Sequence, residues 1–132
     1  YYMTGEKSLT INDAQNKCKK ISAKLPIVKS KEENTFILAL MSKQKVDWVW
    51  LGMKRKHRKM FWFDDTAAEL SYGAPYSAWG EGEPSSQTHE ICAYLNFKDG
   101  WNNNKCDYGT DTGPLVLCQK ERQKNGSSKT EG

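Results

Sequence analysis

The chain has 132 residues and 15.1 kDa, with 20 basic against 16 acidic side chains and only 37% apolar residues. That length is one domain on ordinary size statistics, and a mean hydropathy of −0.81 leaves no run near the ~18 apolar residues a membrane-crossing helix needs. No charged-then-apolar leader opens the chain, so the sequence reads as a soluble domain with no membrane insertion by this segment, and a net charge of +4 is too mild to argue for nucleic acid.

Tyr1–Met3 reads as the end of a strand. Thr10 stands at capping distance before Asp13, and Ile11, Ala14, Cys18 and Ile21 recur at helical spacing, which predicts a first helix over 10–21 with Cys18 inward and Lys17, Lys19 and Lys20 outward. Leu25–Val28 reads as a short connection. Ser30 followed by Glu33 predicts a capping box, and Phe36, Ile37, Leu40 and Met41 the buried stripe of a second helix.

From Val46 the texture changes to Val-Asp-Trp-Val-Trp-Leu-Gly-Met, then a basic run from Lys54 to Lys59, then Phe61–Phe63. β-Branched and aromatic residues on either side of a charged turn predict a hairpin with a basic tip. Two further strands are predicted over Ile91–Phe97 and Pro114–Gln119, each carrying one Cys. Helices first and strands after argue for an α+β fold.

Residues 64–90 carry Gly at 73, 80 and 82 and Pro at 75 and 84 without a sustained period, and they exceed the ~12–15 residues expected of a plain connection. Tyr72, Tyr76 and Trp79 give this stretch its own apolar anchors, as in a packed loop, and a binding site is expected here. Residues 122–132 hold no apolar side chain and read as a flexible tail or linker after a domain over 1–121. The tail contains Asn125-Gly126-Ser127, a glycosylation sequon.

Cysteines stand at 18, 92, 106 and 118, with no Cys-x-x-Cys pair and only His57 and His89 to join them. A zinc cluster or a thioredoxin-type site therefore has no ligand spacing to rest on, and two disulfides are the better reading, with all three connectivities open. Disulfides imply an extracellular setting, secreted or in a receptor ectodomain.

The long loop ends in Trp79-Gly80-Glu81-Gly82-Glu83-Pro84-Ser85, followed by Glu90 before Cys92 and by Trp101-Asn102-Asn103 before Cys106. The carboxylates of Glu83 and Glu90 and the amide carbonyls of Asn102 and Asn103 are the oxygen donors Ca²⁺ prefers, with the Ser85 hydroxyl a poorer one. Taken alone, Glu-Pro-Ser is more often a solvated turn.

Several spaced motifs change that balance. The capped helix ending in Cys18, Trp48-Val49-Trp50-Leu51-Gly52, Phe61-Trp62-Phe63-Asp64-Asp65, Trp79-x-x-Gly-Glu-Pro, Glu90-x-Cys92, Trp101-Asn102-Asn103-x-x-Cys106 and Leu117-Cys118 stand in one order along the chain. Together they resemble the C-type lectin domain family, in its short form. The resemblance implies an α+β fold with two helices flanking small antiparallel sheets, a long loop region, and the bridges Cys18–Cys118 and Cys92–Cys106. It also implies one Ca²⁺ held by Glu83, Glu90, Asn102 and Asn103, with a sugar bound through the ion and through Glu83, Ser85, Glu90, Asn102 and Asn103.

Two positions depart from the family's pattern: Ser85 stands where sugar binders carry Asn, and Asn103 where they carry Asp. The first loses a carbonyl and an amide donor, and the second one negative charge, which predicts weakened calcium binding because charge count tunes affinity. Ser86 and Ile91 occupy the positions of the family's auxiliary calcium ligands, so that second site is expected to be absent. Retention of Glu-Pro resembles the mannose- and fucose-type triplet, so the implied partners are glycans or glycoproteins. The alternative is a calcium-independent module of the same fold binding a protein or a sulfated or otherwise anionic ligand.

No enzyme is expected, since no nucleophile stands in a strand-turn-helix elbow and the cysteines are committed to bridges. His89 reads as a rim residue beside the site. The tryptophans read as core, with Trp101 alone expected near a ligand. Lys54, Arg55, Lys56, Arg58 and Lys59 are either a solvated turn or a subsite for an anionic ligand such as a sulfated glycan.

Overall fold

Local signals at the helix starts are obeyed in the computed structural model, which describes residues 1–84, 91–107 and 114–120. After strand β1 (Tyr2–Lys7), helix α1 (Ile11–Lys19) begins where the Thr10 hydroxyl accepts the Asp13 N–H at 3.1 Å. It stops short of the expected end at 21, and Ile21 still packs against the same apolar cluster. Helix α2 (Lys31–Gln44) starts with the Ser30 hydroxyl accepting the Glu33 N–H at 3.1 Å. The Glu33 carboxylate reaches back to the Lys29 N–H at 3.1 Å, one residue earlier than in the usual reciprocal box.

The buried side of α2 is Asn34, Ile37 and Met41, residues that share one face at helical spacing. Phe36, expected in that stripe, is rotated off it, 56% exposed, and meets the Tyr1 ring at 5.5 Å.

Among the described residues the strands β2 (Trp48–Lys56), β3 (Lys59–Trp62), β4 (Cys92–Asn96), β5 (Gly100–Asn104) and β6 (Leu115–Cys118) follow, with a 3₁₀ turn at Leu70–Tyr72. They form one six-stranded sheet of order β1-β6-β2-β4-β5, with β3 paired to β2 as the expected hairpin. The β2–β6 pairing, Val49 to Leu115, is parallel, so the sheet is mixed where small antiparallel sheets were implied. Strand β5 was not foreseen. Its Gly-Trp-Asn-Asn-Asn has poor intrinsic strand preference, and its register against β4, from Cys92–Asn104 to Asn96–Gly100, supplies what the side chains do not.

The unbroken apolar run of β2 is explained by burial on both faces, because alternate side chains leave a strand on opposite sides. Val49, Leu51 and Met53 join Ile37, Met41, Trp62, Leu95 and Trp101 in the main core. Trp50 points the other way, into a second core with Ala14, Cys18, Leu25, Cys92, Val116 and Cys118. Leu25, Ile27 and Val28, read as a connection, are buried and divide between these two cores. The bridges are Cys18–Cys118 and Cys92–Cys106, which settles the three open connectivities in favour of the implied one. The expected tail over 122–132, with its sequon at Asn125, lies outside the described residues.

Candidate functional site

The end of the long loop is fastened to β5 by backbone. The Trp101 N–H donates to the Ala78 carbonyl and the Gly80 N–H to the Trp101 carbonyl, both at 2.9 Å, forming a short parallel bridge between Trp79 and Trp101. The two backbones lie too close for side chains. A Cβ on Gly100 would stand 2.6 Å from the Ala78 carbonyl oxygen, and one on Gly80 would overlap the Asp99 carbonyl. Glycine at both positions is what permits the approach.

From this fastening the chain turns back on itself, the Glu83 N–H donating to the Gly80 carbonyl at 3.0 Å. The turn delivers the Glu83 carboxylate to β5, where its Oε1 accepts the Asn103 N–H at 3.4 Å. The peptide joining Glu83 to Pro84 is cis. Alternation along β5 buries Trp101 and Asn103, which are 0% and 2% exposed. Asn102 is half-buried, and its Nδ2 donates to the Gly100 carbonyl at 3.0 Å. That commitment leaves Oδ1 as the end of the Asn102 amide that could face a cation.

The structure therefore brings together Glu83 and Asn103, with Asn102 adjoining on the same strand. Ser85 and Glu90, the other expected ligands, lie outside the described residues, as do Ser86 and His89. Among the described residues no group of three His, Cys, Asp or Glu is gathered. The Glu83 carboxylate and the carboxamides of Asn102 and Asn103 are oxygen donors that suit a hard cation such as Ca²⁺ in kind, though the contact shown is from Glu83 to the Asn103 backbone, and the two carboxamides leave β5 on opposite faces.

Trp101, expected near a ligand, is fully buried. Its indole N–H donates to the Asn34 Oδ1 at 2.9 Å, and the rings of Trp62, Tyr76 and Trp79 pack edge-on at 5.3, 5.8 and 5.7 Å. Its backbone fastens the end of the long loop to β5. Asn34 went unnoticed in the sequence, although a buried Trp needs an acceptor and Asn34 sits three residues before Ile37 on the inward face. Tyr76 and Trp79 anchor the loop as expected, Trp79 also donating to the Ala68 carbonyl at 2.9 Å. Tyr72, expected as a third anchor, is 47% exposed.

The basic run is at the hairpin tip, where His57, with φ of +60°, and Arg58 turn the chain between paired Lys56 and Lys59. Its cations do not all share a face. Lys54, Lys56 and Lys59 alternate with Arg55, which is half-buried and opposite Met60.

A mixed sheet with two flanking helices, two bridges and a carboxylate-bearing loop fastened beside an Asn-rich strand defines a C-type lectin-like domain. Residues 7–120 match the family described as the Lectin C-type domain, and the chain belongs to that family, whose members are non-enzymatic binding domains that generally bind Ca²⁺. It is 33% identical over 95 residues to CD209 antigen-like protein A of Mus musculus, an overlap of 72% of this chain and 38% of that protein's length. Among solved structures it is similar to the human scavenger receptor C-type lectin carbohydrate-recognition domain, with a TM-score of 0.73 and 26% identity over 92% of this chain and 89% of that one. The C-type lectin domain of murine dendritic cell inhibitory receptor 2, solved in complex with N-glycan, shares the fold with a TM-score of 0.73 at 24% identity, covering 92% and 89% of the two chains.

Proposed function

We propose that this domain recognises glycans through one Ca²⁺ held by Glu83, Glu90, Asn102 and Asn103, with Ser85 beside them, and that the glycans are of the mannose or fucose type. The observation that carries this reading is the contact between the Glu83 carboxylate and the Asn103 N–H at 3.4 Å, which brings the loop carboxylate to the strand that carries Asn102 and Asn103. When bound, the ion supplies the open coordination positions that a sugar's vicinal hydroxyls complete. The chain's own residues hold the rest: Glu83 and Glu90 bring the negative charge, and Asn102 and Asn103 present carbonyl oxygens and amide donors. Buried disulfides in a small core support an extracellular setting, either secreted or as the ectodomain of a receptor. No helix among the described residues is long and apolar enough to cross a membrane.

Asn103 gives the reading its character. Its side chain is 2% exposed, and burying an ionised Asp beside Glu83 without a counter-ion would be costly. The neutral amide lets this corner close without metal, at the expense of affinity for the metal. Glu83→Gln is therefore expected to abolish calcium-dependent retention on mannose-agarose while leaving the fold intact by circular dichroism. Asn103→Asp combined with Ser85→Asn is expected to tighten calcium by about tenfold or more in calorimetry. It is also expected to lower the unfolding temperature in EDTA and raise it in calcium. No heat from the natural protein at millimolar calcium would hand the function to a calcium-independent module that binds protein.

A further inference from the structure

The hairpin tip is left unused by the calcium site, and the structure sorts its cations. In the register of β2 with β3, Lys54 faces Phe61 and Lys56 faces Lys59, which puts these three lysines on one side. Lys56 is taken up by Asp65 in an ion pair. The neighbouring acid, Asp64, is committed to Lys29; partial burial alone would push its pKa up, and hydrogen bonds from Lys29 and Thr66 instead hold it at about 2. Lys54, Arg58 and Lys59 are exposed and have no acidic partner among the described residues. The Lys59 ammonium is held 4.4 Å from the centre of the Tyr72 ring, and Tyr72 and Leu70 are 47% and 60% exposed. A cation over a ring face is restricted in where it can go, so the Lys59 charge is held against an exposed aromatic surface.

Position adds a second argument. Lys54 pairs with Cys92, and Cys92 with Asn104, so the tip projects from the end of the sheet that carries Asn103 and the Glu83 carboxylate. Three strand spacings, roughly 14 Å, separate β5 from β3, a span an oligosaccharide can cross.

We propose that the tip is a second, calcium-independent subsite that takes the sulfate groups of a sulfated glycan. Arg58 supplies a fork of donors that matches a sulfate's oxygens, Lys54 and Lys59 add charge-assisted hydrogen bonds, and the Tyr72 ring with Leu70 covers the apolar face of a sugar. The shared end of the sheet favours a glycan over a membrane surface, because one chain of sugars reaches both places.

The test is heparin chromatography in EDTA of the natural domain and two variants. One removes the tip cations (Lys54→Ser, Arg58→Ser, Lys59→Ser), and the other removes the same charge from the helices (Lys19→Ser, Lys20→Ser, Lys43→Ser), all six being exposed. The tip variant is expected to elute earlier than the helix variant, and the slope of its log Kd against log salt to fall by ~2–3, close to one per ion pair lost to a linear polyanion. Asp65→Asn, which releases Lys56, is expected to lengthen retention. Equal displacement of the two variants would show that net charge alone is read and would overturn the proposal. So would the absence of any heparin retention of the natural domain in EDTA, or binding to phosphatidylserine vesicles by a protein that heparin does not retain. Because EDTA is present throughout, failure of the calcium site leaves this result untouched.

Discussion

Trp101→Ala is expected to destabilise the domain by about 3–5 kcal/mol, the cost of emptying a large aromatic site in a packed core. The residue is fully buried, three aromatic rings lie edge-on against it, and its indole N–H is the partner of the buried Asn34 carbonyl. Trp101→Phe keeps most of the packing and leaves Asn34 without that donor, for which about 1–3 kcal/mol is expected. Asn34→Ala in the Trp101→Phe background should then cost less than in the natural chain, because the two residues act as a pair. Urea unfolding of the four proteins checks this, and equal costs in both backgrounds would show that the hydrogen bond contributes nothing. Trp101→Ala should also weaken calcium binding, since the backbone of residue 101 holds both Ala78 and Gly80.

Removing the Cys18–Cys118 bridge as a double Ala variant is expected to have the largest effect of any change outside the core aromatics. The bridge spans 100 residues, and the chain-entropy estimate for a loop of that size is about 4.7 kcal/mol, against a total stability of about 5–15 kcal/mol for ordinary domains. The Cys92–Cys106 bridge spans 14 residues, for which the same estimate is about 3 kcal/mol. The two losses should differ in kind. Cys18 and Cys118 tie α1 to β6, so their removal is expected to lower the denaturant midpoint with calcium affinity preserved in the folded fraction. Cys92 and Cys106 bracket the β4–β5 pair, so their loss should reach calcium binding before it reaches the midpoint.

What could be read from the sequence was what is encoded within a few residues. Thr10 with Asp13 and Ser30 with Glu33 announce the helices because a cap is a local hydrogen bond, and β2 and its hairpin announce themselves by composition. The spaced motifs carried the disulfide pairing and the family. β5 was hidden because Asn-rich segments read as turns, and only the β4 ladder makes this one a strand. The inward face of α2 was misjudged at Phe36 because hydrophobicity was allowed to outvote phase: the helix turns Asn34 inward to satisfy Trp101, and a contact across 67 residues leaves no local trace. The same holds for Glu83 and Asn103, whose meeting depends on the fastening of residues 78–80 to β5.

That fastening separates inheritance of the frame from inheritance of specificity. The contacts that bring residues 78–80 to β5 are made by the backbone of Ala78, Gly80 and Trp101 and are permitted by glycines, so that fastening itself makes no demand on the side chains at 83, 102 and 103. The frame that brings the loop to the strand can therefore persist while the side chains it presents change, which makes what the domain binds easier to alter than how it folds.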